Sequence, residues 1–415
     1  MTEHSAWNRT RLILVTVIVL LIALLLVLFA LFVNLLRPTG LPDSAPAGAA
    51  DGIQWVRSLY GFGPSADEQL LSPSSVAIAP NGDIYATDPI RARIMVFRSD
   101  GIFSRIIHTG AGGTGKAQFV RPESIAIADN GDLYIADSWA KKIIVFDSNG
   151  VFVREWPVDS MARGVFVTGG RVYVLDVGHV IIFTTHGERL ASFGARGRKP
   201  GQLDAYQGIV ARDGRVFVAD SYNKRLQSFT ESGAVLWTLP AASLSRSGPA
   251  TQTPAGDGSG SGQMAEHAWD LPQDLVFDGK GRLVVVDAFR FEIDVVDPKT
   301  GKVQSSYGEF GREDGQFFYP TSIAYDARRD WFAVADTQNN RIQIVRIPDS
   351  GSDALSGVWR AVSSPYRYLV VPALVLLLAI VFATWTGLRM LKARDLQKED
   401  GTADVDHTIF PIETL

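Results

Sequence analysis

Residues 315–347 read GQFFYPTSIAYDARRDWFAVADTQNNRIQIVRI, and this stretch is one unit of an internal repeat. A proline opens an aliphatic run at Pro320, a second aliphatic run ends at Asp336, and a third run follows from Arg341 to Ile347. Short β-rich runs of this length, separated by turn residues, are typical of antiparallel strands. The unit therefore predicts strands with tight turns between them.

The unit recurs six times between residues 53 and 347. An aspartate ends the second strand of each copy, at successive spacings of 49, 39, 44, 67 and 49 residues: Asp88, Asp137, Asp176, Asp220, Asp287 and Asp336. Four copies open on a proline, namely Pro73, Pro122, Pro272 and Pro320, whereas the third and fourth copies lack it. A fourth strand follows the third, as in Lys302 to Tyr307. Four antiparallel strands repeated at about 40–50 residues predict an all-β, six-bladed β-propeller.

The sixth copy lacks its own fourth strand, and the N-terminal segment supplies a candidate. Residues 53–61 precede the first copy, and Ser58-Leu59-Tyr60-Gly61 matches Ser305-Ser306-Tyr307-Gly308 of the fifth. An open ring would leave two unpaired sheet edges, which natural proteins avoid. We therefore expect the N-terminal strand to close the ring.

The repeat is similar to the NHL repeat over residues 53–347. The resemblance rests on Gly201-Gln202-Leu203, Gly315-Gln316-Phe317 and Gln118-Phe119, and on the stretches Asp220 to Arg225 and Asp336 to Arg341. It implies a six-bladed propeller that serves as a recognition platform. The sequence departs from the pattern in the third copy, whose turn at Val177 to His179 is two residues shorter, and at Glu292, where four other copies carry Arg or Lys.

One insertion interrupts the repeats. Residues 240–268 are rich in Gly, Ser, Ala and Pro and account for the spacing of 67 residues. Such composition predicts a surface loop, and we expect a linker without a fixed structure.

Two apolar runs flank the repeats, at residues 12–36 and 368–388. Each is long enough for a membrane-spanning helix. Basic residues are concentrated before the first run and after the second, which predicts cytoplasmic termini (1–11 and 389–415) and an extracytoplasmic propeller joined by linkers 37–52 and 348–367. A cleaved signal peptide is the alternative for the first run, although its length exceeds that of a signal sequence.

Composition excludes several classes of protein. The chain has 415 residues, a formal net charge of −4 and no cysteine. A near-neutral charge argues against a nucleic-acid binder. The lack of cysteine excludes disulfides, thiolate metal sites and a cysteine nucleophile.

The repeat aspartates are expected to be structural. A basic residue follows four of them by five positions, as Arg93, Lys142, Arg225 and Arg341. Such a pair is expected to brace the turn between the second and third strands.

A ring of polar residues is expected at the channel mouth. The two positions after the opening proline, or its equivalent, are Ser74-Ser75, Glu123-Ser124, Ala162-Arg163, Tyr206-Gln207, Gln273-Asp274 and Thr321-Ser322. Propellers commonly bind ligands there, so we take Glu123, Arg163, Gln207 and Asp274 as candidate ligand-binding residues. The alternative is that this ring only solvates the mouth.

The turns between the second and third strands combine basic and aromatic residues. We therefore predict a contact rim formed by Arg91, Trp139, Lys141, Tyr222, Lys224, Phe289 and Arg290.

Neither a catalytic residue nor a metal or other cofactor is predicted. The histidines of the repeat region, His108, His179, His186 and His267, occupy no equivalent positions, unlike the converging ligands that zinc requires. We expect a bacterial membrane-anchored, extracytoplasmic binding or scaffold module with a protein, peptide or envelope-polymer partner. A metal-dependent lyase or lactonase-like enzyme, or a structural subunit of a larger membrane complex, are the alternatives.

Overall fold

The computed structural model describes residues 52–107, 117–239 and 269–351, together with Leu20, Leu24 and Phe382. The described chain contains six four-stranded antiparallel sheets. Each sheet corresponds to one sequence repeat, so the prediction of an all-β, six-bladed propeller is confirmed. The insertion at 240–268 lies outside the described residues.

The strands follow one another regularly. In chain order, β1 (Gln54–Leu59) comes first and belongs to blade 6. Blade 1 contains β2 (Val76–Ile78), β3 (Ile84–Asp88), β4 (Arg93–Phe97) and β5 (Phe103–Ile107). Blade 2 contains β6 (Pro122–Ile127), β7 (Leu133–Asp137), β8 (Lys142–Phe146) and β9 (Phe152–Pro157). Blade 3 contains β10 (Gly164–Thr168), β11 (Arg171–Leu175), β12 (Val180–Thr184) and β13 (Arg189–Phe193).

The second half continues in the same way. Blade 4 contains β14 (Ile209–Arg212), β15 (Arg215–Asp220), β16 (Arg225–Thr230) and β17 (Val235–Leu239). Blade 5 contains β18 (Pro272–Phe277), β19 (Leu283–Asp287), β20 (Glu292–Val296) and β21 (Val303–Tyr307). Blade 6 contains β22 (Pro320–Asp326), β23 (Trp331–Asp336) and β24 (Arg341–Arg346), with β1 as its outer strand.

The N-terminal strand closes the ring, as the sequence predicts. β1 pairs antiparallel with β24, and Gln54 lies opposite Arg346. The sequence match to the fifth repeat is displaced by one residue, because Leu59 lies opposite Ile342 where Tyr307 lies opposite Ile293. A bulge between Trp55 and Arg57 locally shifts the register of β1.

Antiparallel pairing gives the propeller two distinct faces. The upper face carries the starts of the inner strands and the turns between the second and third strands: 89–92, 138–141, 176–179, 221–224, 288–291 and 337–340. The lower face carries the other hairpin turns, such as 98–102 and 147–151. Both ends of the propeller, at Gln54 and Arg346, lie at the lower face.

The hydrophobic core is divided among the interfaces between blades. Six buried clusters lie there, and the cluster between blades 6 and 1 joins Leu59 and Trp331 to Val76 and Ile84. The apolar residue that follows the glutamine of each NHL-like motif is fully buried: Phe119 after Gln118, Leu203 after Gln202 and Phe317 after Gln316. Sheets packed face to face in this way exclude water from both surfaces of each blade.

Within the residues that the structure describes, no helix has the length and hydropathy needed to cross a bilayer. The two expected spans, the linkers and both terminal segments lie almost entirely outside those residues. Leu20, Leu24 and Phe382 are the described positions within the spans, and each is helical and exposed.

Because β1 closes the ring, shortening one of its buried side chains should lower the stability of the propeller considerably. Leu59→Ala removes a side chain that is 5% exposed in the cluster between blades 6 and 1, and we expect it to lower the unfolding free energy by about 3 kcal/mol. Leu236→Ala, on the outer strand of blade 4 but 44% exposed, is the matched control and should change it little. Chemical denaturation of both variants measures the difference, and equal effects would contradict closure by a packed β1.

Candidate functional site: the channel mouth and the upper rim

Two of the repeat aspartates lie at the centre of a buried hydrogen-bond network. In blade 4, Asp220 Oδ2 accepts from Arg225 Nε at 2.7 Å and from Gln227 Nε2 at 3.0 Å. Gln227 also donates to the carbonyl of Gln202 and accepts from the N–H of Gly201. The same network recurs in blade 6, formed by Gly315, Gln316, Asp336, Arg341 and Gln343. The Gly-Gln motif, which precedes the inner strand of the blade, is therefore hydrogen-bonded to the side chains around the turn that follows β15 or β23.

The remaining aspartates use other partners. Asp88 pairs with Arg93 at 2.9 Å, whereas Asp287 accepts only from backbone N–H groups, and Asp176 accepts from Ser160, Gly178 and His179. Burial raises the pKa of Asp88, Asp287 and Asp336.

The expected pair between Lys142 and Asp137 does not form. Both Asp137 oxygens already accept from backbone N–H groups, those of Val120, Arg121 and Ala140. Lys142 Nζ instead lies 2.9 Å from Glu155 on the neighbouring strand.

The inner strands begin with two rings of residues around the channel. The register of the inner hairpins places Ser124 opposite Ala136, Gly164 opposite Leu175 and Asp274 opposite Val286. The first ring is therefore Ser74, Glu123, Arg163, Gln207, Gln273 and Thr321. The second ring is Ser75, Ser124, Gly164, Gly208, Asp274 and Ser322.

This register corrects the sequence alignment of blades 3 and 4. The pairs there are Arg163-Gly164 and Gln207-Gly208, one residue later than the sequence suggests. Glu123, Arg163 and Gln207 consequently share the first ring, whereas Asp274 belongs to the second. The four candidate ligand-binding residues do not form one set.

The second ring connects each blade to the next at four of the six junctions. A backbone N–H near the start of one inner strand donates to a second-ring side chain of the preceding blade, at 3.1–3.3 Å. The pairs are Ile125 with Ser75, Val165 with Ser124, Ile323 with Asp274, and Val76 with Ser322.

Glycine occupies the second ring at the other two junctions because the neighbouring strands approach closely. A Cβ on Gly164 would lie 2.1 Å from the carbonyl oxygen of Gln207, and one on Gly208 would lie 2.7 Å from that of Gln273. Any larger residue would push blades 3, 4 and 5 apart at the axis.

Asp274 is therefore placed as a connecting residue between blades 5 and 6. Its carboxylate accepts from Ser322 Oγ at 2.7 Å and from the N–H groups of Leu275 and Ile323. Burial raises its pKa to about 7 despite these hydrogen bonds. The side chain remains partly accessible from the channel, so water there would moderate the effect.

Gln207 closes the channel below the upper face. Its Nε2 donates across the axis to the carbonyl of Ser74 at 2.9 Å and to that of Thr321 at 2.5 Å. The amide oxygens of Gln207 and Gln273 are buried without a hydrogen-bond partner among the described residues.

A cavity of about 160 Å³ lies beneath Gln207, lined by the inner strands of all six blades. Its upper end is polar, with Ser75, Ser124 and Asp274, and its walls are mainly Ile, Val and Ala. A larger open groove of about 350 Å³ lies between blades 2 and 3 at the lower face. None of the sequence candidates lines that groove.

Glu123 organises one side of the mouth, between blades 2 and 4. It is 2% exposed and accepts from Arg121 Nε at 2.8 Å, from Ser138 Oγ at 3.1 Å and from the Tyr206 hydroxyl. Burial, and then the charge of Glu123, raise the pKa of Tyr206, which keeps its hydroxyl a donor. The Arg163 guanidinium lies 5.0 Å from the centroid of the Tyr206 ring.

The rim of the upper face is marked by exposed apolar side chains at one repeated position. The second residue after the aspartate is exposed by 52–62% in four blades, as Ile90, Trp139, Tyr222 and Phe289. We call these four residues the apolar rim. The predicted contact rim contains three of them but not Ile90, which occupies the same repeat position.

The basic part of the expected contact rim is largely engaged with the protein. Arg91 donates to the carbonyls of Ala66 and Gln69, Lys224 pairs with Asp270, and Arg290 pairs with Glu292. Lys141 is the exception within the described part of the rim. The surface is therefore more apolar than cationic.

Potential metal ligands do not converge in the described part of the chain. No group of three or more His, Asp or Glu side chains is arranged there to bind a metal ion. His179 contacts Asp176, and His186 lines the lower-face groove. His108 and His267 lie outside the described residues.

Comparisons with known proteins agree with the observed fold. A family model described as a 6-bladed beta-propeller matches residues 65–174, which include blades 1 and 2. No curated protein matches the sequence. The chain is a six-bladed β-propeller protein.

Solved structures show the same fold at low identity. One, a structural genomics protein of unknown function from Bacteroides thetaiotaomicron, is 17% identical with a TM-score of 0.52, over 71% of this chain and 76% of that one. A streptogramin B lyase is 13% identical with a TM-score of 0.49, over 71% and 98% of the two chains. An auxiliary nutrient binding protein from Bacteroides thetaiotaomicron is 12% identical with a TM-score of 0.49, over 71% and 75%. These similarities concern the fold alone.

The raised pKa of Asp274 predicts a pH-dependent stability. Folding favours its protonated form, so the unfolded chain releases this proton at lower pH, and stability should fall as pH rises from about 4 to about 7. Asp274→Ser installs the residue found at three equivalent positions and removes the titration. Wild type should lose roughly 2–4 kcal/mol relative to this variant between pH 4 and pH 8.

Thermal unfolding of both proteins across this pH range measures the difference. A gap in stability that stays constant with pH would show that Asp274 titrates as an ordinary surface carboxyl.

Proposed function

We propose that this protein is a membrane-anchored, extracytoplasmic binding module of the NHL type in a bacterial cytoplasmic membrane, and that its apolar rim contacts a protein partner. The observation that carries the proposal is the apolar rim itself. Four exposed apolar side chains occupy one repeated position around the channel mouth, at the face opposite both ends of the propeller.

The composition of this surface favours a protein partner over a charged polymer. Trp, Tyr and Phe are enriched at the centres of protein interfaces, where charged residues are depleted. The basic neighbours Arg91, Lys224 and Arg290 are already paired or hydrogen-bonded. An anionic envelope polymer would need free cations, and the described rim offers few.

Further aromatic residues extend this surface over blades 5 and 6. Phe289 lies 5.6 Å from Tyr319 between ring centroids, and Phe310 lies 5.3 Å from Phe318. Phe310 is 58% exposed. Contiguous exposed apolar surface of this kind is typical of interaction sites.

The proposed anchoring rests on the sequence. The runs at 12–36 and 368–388 have the length and flanking charges of two spans with cytoplasmic ends. An anchor on either side of the repeats would restrict the motion of the propeller relative to the membrane.

An enzymatic role is the second candidate, as a metal-dependent lyase or lactonase. Its support is limited to the polar first ring at the mouth, because Asp274, the acid expected to join Glu123, is engaged between blades 5 and 6. The third candidate, a structural subunit of a membrane complex, would use the spans themselves as its main interface.

The proposed topology predicts one-sided labelling. The chain has no cysteine, so Asn149→Cys in an exposed turn of blade 2 and Thr402→Cys in the tail each provide a single thiol. A membrane-impermeant maleimide should label the first in intact spheroplasts and the second only after lysis. Labelling of position 402 in intact spheroplasts would refute the proposed orientation.

If the apolar rim contacts a protein partner, replacing its four apolar side chains should abolish the complex with that partner. A variant carrying Ile90→Ser, Trp139→Ser, Tyr222→Ser and Phe289→Ser should migrate as the solitary chain after extraction in mild detergent, because the buried apolar area is lost. Wild type should migrate in a larger complex, as measured by size-exclusion chromatography with mass determination.

The matched control changes four apolar side chains of similar exposure elsewhere: Ile102→Ser, Val151→Ser, Leu190→Ser and Leu236→Ser. It should retain the complex. Equal loss in both variants, or a solitary wild-type chain, would contradict the proposal.

A further inference from the structure

We infer that the channel mouth between blades 2, 3 and 4 binds a carboxylate-bearing ligand through the guanidinium of Arg163. This site shares Trp139 with the apolar rim, but the inference does not rest on the rim contacting a protein. Arg163 belongs to the first ring, immediately before β10, and is partly buried.

The charge of Arg163 is not used by the fold. Its guanidinium makes no hydrogen bond or ion pair with the described residues, and its Nε is buried without a partner. Leaving a buried donor unsatisfied costs about 1–3 kcal/mol. Because stacking on Tyr206 is the one described contact of this guanidinium, its hydrogen-bond donors are available to a ligand.

The surrounding residues hold this guanidinium in place. It stacks on the Tyr206 ring at 5.0 Å, and the Tyr206 hydroxyl donates to Glu123. Glu123 is in turn fixed by Arg121 and Ser138. Glu123 and Tyr206 are thus positioning residues, and they restrict the rotamers of Arg163 before any ligand binds.

Charge identifies the class of ligand. Arg121 and Arg163 contribute two positive charges, Glu123 contributes one negative charge, and Tyr206 stays neutral because its pKa is raised. The cluster therefore has a net charge of +1. The planar fork of arginine matches a carboxylate in geometry, and a singly charged carboxylate balances the cluster. A phosphate dianion would leave the cluster with a net charge of −1.

The nearby side chains indicate what is attached to the carboxylate. Trp139 is 62% exposed beside Arg121, whose guanidinium lies 5.2 Å from its ring centroid. Trp139 and Tyr206 thus offer aromatic surface beside Arg121 and Arg163, respectively. An apolar or aromatic group joined to a carboxylate fits this arrangement, and a small organic acid or the C-terminus of a peptide could supply it.

Binding measurements with matched probes test the inference on the full chain in detergent. N-benzoylglycine should bind, and its neutral amide should bind at least tenfold more weakly, as measured by isothermal titration calorimetry. The peptide Ala-Ala-Phe and its C-terminal amide form the second pair. Binding of both acids would indicate peptide termini as well as small acids, whereas binding of N-benzoylglycine alone would restrict the site to small acids.

Variants separate Arg163 from other cations. Arg163→Gln should weaken binding of N-benzoylglycine at least tenfold without lowering the unfolding temperature, because the guanidinium supports no protein contact except its stacking on Tyr206. Arg163→Lys keeps the charge without the fork and should bind with intermediate affinity. Arg328→Gln, at an exposed arginine of the lower face, is the matched control and should bind as wild type does.

Three results would overturn the inference. They are equal binding of acid and amide, unchanged binding by Arg163→Gln, and tighter binding of phenyl phosphate than of N-benzoylglycine. Absence of binding by every acid would also reject it, and this outcome is independent of the rim experiment.

Discussion

Each blade of the propeller presents its inner strand to the channel as a sheet edge. The rest of the structure depends on which groups accept hydrogen bonds from the backbone N–H groups along those edges. Buried backbone N–H groups need acceptors. At four junctions the acceptor is a side chain from the preceding blade, three times a serine and once Asp274. At the other two, Gly164 and Gly208 let the strands approach directly. The second ring therefore couples neighbouring sheets, whereas in the first ring Gln207 bridges the axis and Glu123 accepts from Tyr206.

The architecture was largely predictable from the sequence because each repeat contains strong local signals. The six aspartates recur where a strand ends, and glycine pairs mark the hairpins. The closing strand was also predictable, since the sixth repeat lacks an outer strand and residues 53–61 resemble one. Its register was not. The sequence match aligns Tyr60 with Tyr307, whereas Leu59 takes that position and packs in the cluster between blades 6 and 1, which is a tertiary contact.

The site was predictable only in part, and the errors have a common cause. Proline marks the start of the inner strand in four repeats, and where it is absent the alignment of Arg163 and Gln207 slipped by one residue. Their register depends on the approach of neighbouring blades, which is a tertiary contact. The contacts of Asp274 were not predictable for the same reason, because its partners Ser322 and Ile323 belong to another blade. Lys142 was misassigned because backbone donors already occupy Asp137.

The pairing of β1 with β24 has a mechanical consequence. The two strands are antiparallel, and Gln54 and Arg346, where the chain enters and leaves the propeller, lie side by side at one end of the pair. A force that separates the two ends would pull β1 and β24 apart in an unzipping geometry. The hydrogen bonds between the two strands would then break one after another and would not share the load. The pairing of β1 with β24 is thus the point at which tension between the two ends acts on the ring. Two tethers that move apart would open blade 6 first and leave the other five sheets intact.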